Sequence, residues 1–212
     1  MKILILGAVG QVSQRVRQVL KDKTENDLVL YARDATQRIH DLNENKEQVI
    51  DGDFHDADSL KKAMEYVDLI FLDYTVDVEA TKKILNTMDE MAIHKLVAIS
   101  SLGIYDELPE SFNKWNRSIL SEVLPKEGKS ADIIEESNID AVIIRPAWMY
   151  NDPSIREYEI TQKGETFKGT QVTREAVADL VLEAIQSFEE YKNTNIGVSE
   201  PNTDGDKPLF MQ

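Results

Sequence analysis

The sequence predicts a doubly wound α/β fold built on a mostly parallel sheet, and three observations carry that prediction. Short apolar runs alternate with amphipathic segments through the first half of the chain. The first run, Ile3 to Leu6, breaks at Gly7, Ala8, Val9 and Gly10 and passes directly into a segment of helical periodicity. The second run, 28–32, is apolar throughout, as in a strand covered by helices on both faces.

The opening turn reads as strand, glycine turn, helix. N–H groups at the start of a helix lack partners within it, and the helix dipole adds partial positive charge, so a phosphate can sit there. Gly7 and Gly10 let the backbone come close to a pyrophosphate, with Ala8, Val9, Gln11 and Val12 completing the turn. The bland alternative is a turn without a ligand. Val12, Val16, Val19 and Leu20 then give the helix one apolar face. Polar residues 21–27 lead to the strand 28–32, which ends in Arg33. Asp34 is the expected cap of a polar helical segment reaching 43. A third strand is expected at 49–53, then a helix capped by Asp58 or Ser59 and running to about 66, a fourth strand at 68–72, a helix at 77–91 and a fifth strand at 96–100. Parallel strands need right-handed crossovers, and ligands of such sheets bind beyond the carboxyl ends. The residues there are 7–10, Arg33, Asp53, Phe54, 73–75 and 100–105.

The second half is less regular. Pro109 and Pro125 suggest a loop with a short helix across 103–128, followed by a helix at 129–137 and a strand at 141–144 that runs into Arg145, Pro146, Ala147 and Trp148. Gly164 and Gly169 punctuate a hairpin or extended segment within 158–172. Thr173 caps a helix from 174 to about 188, and 196–199 is the final strand before a loose tail. Without repeat or linker, 1–212 is expected to be one domain, its lid and substrate portion lying mainly in 103–128 and 150–212.

Composition narrows the function. The chain is 42% hydrophobic and 30% charged, with no run long enough to span a bilayer. Its apolar start is short, glycine-broken and without a secretory cleavage pattern, which places the protein in the cytoplasm. A net charge of −15 opposes binding to nucleic acid or anionic membranes, while leaving room for a local basic pocket that takes one anionic cofactor. Absence of cysteine removes disulfides, thiolate metal sites and cysteine nucleophiles, and His40, His55 and His94 lack metal-ligand spacing.

Taken in order, GAVGQV at the opening turn, Arg33, the segment VIDGDFHDADSLKKAMEYVDLIFL, then VAISSLGIY and SNIDAVIIRPAWMY resemble the atypical short-chain dehydrogenase/reductase superfamily, in particular its NmrA-like NAD(P)-binding proteins, which include flavin and biliverdin reductase-like members. The resemblance covers about the whole chain and implies a Rossmann-type domain with a small C-terminal substrate portion. Ser13 stands where the family commonly has a third glycine or alanine. Arg33, with no acid at the end of the second strand, favours a 2′-phosphate and hence NADP over NAD, since a guanidinium binds phosphate through two parallel hydrogen bonds. Its alternatives are a pair with Asp34 or a plain surface role. Asp53 and Phe54 match the family's adenine contact, although Asp53 could instead satisfy turn backbone. Asp73, Tyr74 and Thr75 replace the usual small residues by the cofactor; Tyr74 and Thr75 are assigned to the nucleotide, and Asp73 is expected to point away or toward the ribose.

The family's carbonyl reductases use a serine, a tyrosine and a lysine. Ser101 matches the serine and Lys129 the lysine, which also binds ribose; the tyrosine position holds Pro125. Tyr105 or Tyr150 would have to donate a proton from another direction, or a flavin or quinone acceptor would draw it from water. Ser100, Pro146, Ala147, Trp148 and Met149 should pass near the nicotinamide, with Phe112, Trp115 and Tyr158 as further aromatic surface. Two functions follow: an NADP-dependent oxidoreductase acting on a small planar or quinone- or flavin-like acceptor, or an NADP-binding redox sensor that works through a protein partner. An isomerase or dehydratase would also want the tyrosine.

Overall fold

The computed structural model describes residues 1–212. In chain order its first half reads β1 (Lys2–Leu6), α1 (Gln11–Lys23), β2 (Asp27–Ala32), α2 (Ala35–Arg38), β3 (Glu47–Asp51), α3 (Ala57–Ala63), β4 (Leu69–Leu72), α4 (Val78–Glu90) and β5 (Lys95–Ile99). The second half reads α5 (Glu110–Leu120), α6 (Leu124–Glu135), β6 (Asp140–Pro146), β7 (Trp148–Tyr150), β8 (Glu159–Gln162), β9 (Gln171–Thr173), α7 (Arg174–Gln186), α8 (Phe188–Tyr191) and β10 (Thr194–Ser199), closing with a 3-10 turn at Leu209–Met211.

Eight strands form one sheet in the order β3-β2-β1-β4-β5-β6-β10-β8. All pairs are parallel except β10 with β8, which adds an antiparallel edge. Successive residues of a strand face opposite sides, so Ile3 and Ile5 enter the core under α1 and α7, while Leu4 and Leu6 enter the core under α3, α4 and α6. Both faces are covered, which is why the central strands β1, β2, β4 and β5 run apolar after their first residues. The alternation of strand and crossover helix brings the carboxyl ends of the parallel strands to one edge.

Several local expectations change. Asp34 does not cap the second helix, which is only Ala35–Arg38; Asp34 has a left-handed backbone (φ 53°), and Asp51 of β3 supplies the cap by accepting from Thr36 N at 3.0 Å. Asp56, rather than Asp58 or Ser59, caps α3 through the N–H groups of both. Residues 103–128 hold two helices instead of a loop with a short one. Their prolines read as breakers but sit where no helical N–H is lost, Pro109 just before α5 and Pro125 in the first turn of α6. The stretch 158–172 is no hairpin: β8 joins the main sheet, and β9 pairs in parallel with β7. The tail is held as well, with Thr203 buried and bonded to Thr170, and Phe210 packed on Tyr150 at 5.2 Å. Thr173 caps α7 as expected, accepting from Ala176 N at 3.0 Å.

A buried polar knot ties the loop after β5 to β6 and β10. Arg145, fully buried, pairs with Glu107 and donates through Nε to Asn195 Oδ1 at 2.7 Å. Glu107 also accepts from Gly103 N at 3.1 Å, where the chain takes a left-handed turn (φ 77°). Asn195 donates to Tyr105 Oη and to Glu135 Oε1, each at 2.9 Å. Removing one member of a buried pair leaves the other charge uncompensated. Glu107→Ala should therefore lower stability by about 3–5 kcal/mol, read from urea unfolding; an unchanged midpoint would contradict the role given to this pair.

Candidate functional site

The glycine turn is shaped by hydrogen bonds on both sides. Gly7 N and Ala8 N both donate to Tyr31 O, at 3.0 and 3.1 Å, and Gly10 N closes back on Gly7 O at 2.8 Å. Gly7 is left-handed (φ 85°), a conformation open to glycine. At the start of α1, Gln14 N donates to Gly10 O at 3.0 Å and Ser13 N to Asp73 Oδ2 at 2.9 Å. The N–H groups of Gln11 and Val12 have no acceptor within the chain. Two free donors at a helix start are what a pyrophosphate requires. The side chains of Ala8 and Val12 are buried in the core and that of Gln11 is exposed, so these residues can offer the backbone alone to a ligand.

Asp73 neither points away nor lies free. Its Oδ2 accepts from both Ser13 N and Ser13 Oγ, the latter at 3.0 Å, and a Cβ on Gly10 would overlap that carboxylate. Burial drives the Asp73 carboxyl up to about 6, against the pull of the two Ser13 hydrogen bonds and the Arg174 charge.

From this turn a groove of about 390 Å³ runs over the ends of β1, β2 and β3. Gly7, Val9, Gly10, Arg33, Asp53, Phe54, Asp73 and Tyr74 all line it. Phe54 stacks on Tyr31 at 6.0 Å, with Tyr74 tilted against it at 6.1 Å, making an aromatic wall. Gly52 fits because a Cβ there would enter the Tyr31 ring. Asp53 performs the turn role, accepting from His55 N at 2.9 Å, while its other oxygen stays 3.9 Å from Arg33 Nε. Asp34 is not an ion-pair partner of Arg33, whose side chain is 79% exposed in the groove. Arg38, also lining it, donates only to Arg33 O at 3.5 Å.

A second cleft, about 290 Å³, opens at the ends of β5 and β6. Ser100, Ser101, Pro146, Ala147, Trp148 and Met149 line it, joined by Leu102, Arg174 and the tail residues Phe210 and Met211. Trp148 is held by its Nε1 donating to Asn116 Oδ1 at 2.9 Å and by Trp115 at 4.9 Å. Glu127 is buried beneath Ser101; burial raises its pKa, Ser101 pulls it part of the way back down, and its Oε2 has no hydrogen-bond partner.

Other expected members lie elsewhere. Lys129 is exposed on α6 and lines neither cavity; its charge bears on Glu79 of α4. Thr75 is buried with its hydroxyl on Ile99 O at 3.0 Å, a structural task. Tyr105 is occupied by the Arg145 knot, and Tyr150 donates to Glu200 Oε2 at 2.6 Å under Phe210, its pKa raised by burial and that carboxylate. Neither serves the cleft. Phe112 is core, and the Tyr158 hydroxyl bonds Glu183 at 2.6 Å. Sequence reasoning missed Arg38, His55, Glu127, Arg174 and the tail residues. Arg38 was detectable, since a short helix after Arg33 must return its last turn toward the strand end; a carboxyl two residues after Pro125 carried no comparable signal.

The residues present fit a nicotinamide dinucleotide: free donors for the pyrophosphate, an aromatic wall, and at the far end two arginines, of which Arg33 has only a long, exposed ion pair with Asp53. Comparison with known proteins gives the same reading. Residues 7–187 match a sequence family described as NAD(P)H-binding. Among solved structures, a short-chain dehydrogenase/reductase from Veillonella parvula in complex with NADP is 29% identical over 99% of both chains, with a TM-score of 0.96. A Rossmann-fold NAD(P)-binding family protein from Shigella flexneri is 33% identical, covering 99% of this chain and 98% of that one, with a TM-score of 0.81. ChuY, an anaerobillin reductase from Escherichia coli O157:H7, shares the fold at 20% identity and a TM-score of 0.80, over 97% of this chain and all of that one. No curated protein matches the chain in sequence. No helix is long and apolar enough to cross a membrane. The chain thus belongs to the NAD(P)H-binding family within the atypical short-chain dehydrogenase/reductase superfamily, on a Rossmann-type fold.

Proposed function

We propose that this protein is an NADP-dependent oxidoreductase that reduces a small planar acceptor of quinone or flavin type. The observation that supports the proposal is the pairing of a dinucleotide groove with a mostly apolar cleft at the ends of β5 and β6, the edge at which doubly wound sheets bind their ligands. Gln11 and Val12 N–H groups would hold the pyrophosphate, Phe54 and Tyr74 the adenine, and Arg33 with Arg38 the 2′-phosphate. The NADP held by the Veillonella relative supports that choice of nucleotide. When bound, the dinucleotide supplies a hydride. Trp148, Met149 and Leu102 exclude water from the acceptor, and positioning is the main contribution.

The proton comes from within the chain. Pro125 has none to give, but buried Glu127 lies near enough to Ser101, which faces the cleft, for the two to influence each other's protonation. Burial keeps the Glu127 carboxyl protonated to higher pH than an ordinary glutamate. In this reading Ser101 Oγ passes its proton to the acceptor and takes one from Glu127. If the nucleotide binds and no acceptor is reduced, the protein is instead an NADP-binding sensor acting through a partner, the reading that Pro125 and the remote Lys129 would then favour.

NADPH oxidation against quinones, flavins and aldehydes tests the proposal, and failure of both NADPH and NADH to bind would sink it. Arg33→Ala and Arg38→Ala should each weaken NADPH relative to NADH by about 1–3 kcal/mol, measured by calorimetry; equal losses for both nucleotides would remove the 2′-phosphate assignment. Glu127→Gln should lower kcat by about 10²-fold or more while sparing NADPH affinity, and should flatten the basic limb of the kcat profile, which a purely structural role would leave in place.

Asp73 adds a pH dependence. Its pKa is raised, so the folded protein holds this proton more tightly than the unfolded chain, and the carboxylate ionises as pH rises through about 6. The new negative charge then stands beside the pyrophosphate donors. Affinity for NAD⁺, which lacks a 2′-phosphate and that group's own titration near about pH 6, should therefore fall between pH 5 and 7 by about tenfold. In Asp73→Asn the profile should be flat; a wild-type affinity independent of pH would show that Asp73 does not reach the ligand.

A further inference from the structure

Arg174 has no task in the reading above. It opens α7 and lines the cleft at the ends of β5 and β6. Its Nη1 donates to Asn151 Oδ1 at 3.1 Å and its Nε is buried without any partner; the charges of Glu175 and Asp73 bear on it, but neither carboxylate forms an ion pair with it. The neighbouring arginines are treated differently. Arg15 pairs with Glu175 at 3.3 Å, Arg17 with Glu47 at 2.6 Å and Arg156 with Asp179 at 2.5 Å. A guanidinium does not deprotonate to escape burial, and a desolvated, unpaired cation is unfavourable until an anion reaches it. A chain of net charge −15 repels anions at long range, so a fixed cation inside a cleft whose other lining residues carry no charge is a local device for one anionic group.

We propose that the acceptor carries a carboxylate, and that Arg174 binds it while the planar body lies against Trp148, Met149 and Phe210. This rests on the reading of the cleft as the acceptor site. A carboxylate matches the planar fork of the guanidinium and satisfies the idle Nε–H together with a second donor. The rival anion is the cofactor's own pyrophosphate. The two cavities share no lining residue, and the pyrophosphate has donors of its own in Gln11 and Val12. The apolar walls add what the charge cannot, since they recognise the ring and not the anion.

Calorimetric titration with two probes of one shape separates these possibilities: 2-naphthoate and the uncharged 2-naphthamide, each added to the NADP⁺-loaded protein and to the free protein. Wild type should prefer the naphthoate by at least about tenfold. Arg174→Gln should abolish that preference, Arg174→Lys should keep part of it, and both variants should bind NADP⁺ as wild type does. Equal binding of the two probes to wild type, or no binding of either, overturns the proposal. So does a preference that survives Arg174→Gln while NADP⁺ affinity falls, which would hand Arg174 to the pyrophosphate. Should NADP⁺ fail to bind wild type, the cofactor assignment is lost, and the probe preference of the free protein still decides the role of Arg174.

Discussion

Ser13 and Asp73 are sixty residues apart, and each looks out of place alone: a serine where the family commonly has glycine or alanine, and an acid where a pyrophosphate is due. Together they are one interaction. The Asp73 carboxylate takes one of the N–H groups that the start of α1 leaves unpaired, and the Ser13 hydroxyl adds a second bond to the same oxygen. That contact fixes how β4 meets α1, sets the space that Gly10 must leave, and reserves the Gln11 and Val12 donors for something else. The glycine turn, the groove and the charge balance at the sheet's carboxyl edge all depend on it.

The fold was readable because its signals are local and redundant. Continuous apolar runs, helical spacing and a cap such as Thr173 each point to the same elements, so the alternation survived errors of a few residues at the ends. What failed depended on partners distant in sequence. Asp34 looked like a cap because the true one, Asp51, comes from the next strand. Residues 103–128 looked irregular because proline reads as a breaker wherever it stands, although at a helix start it breaks nothing.

The candidate site divides in the same way. Residues of the glycine turn and strand ends were accessible from spacing, since topology gathers them at one edge. Tyr105 and Tyr150 were plausible donors only while their partners were unknown; Asn195 and Glu200, ninety and fifty residues away, occupy their hydroxyls. Arg174 and Phe210 reach the cleft through the return of the chain across β9 and the tail, a route that no local pattern encodes.

The Arg145 knot bears on how binding would be distributed between order and contact. Because Glu107 already fixes the left-handed turn at Gly103, the loop that carries Ser101 and Leu102 is set before any ligand arrives. An acceptor entering the cleft meets walls that need no folding of their own, so little conformational entropy is lost on the protein side. The heat-capacity change of association would then report the apolar surface covered on Trp148, Met149 and Phe210, free of the larger signature that accompanies a loop becoming ordered.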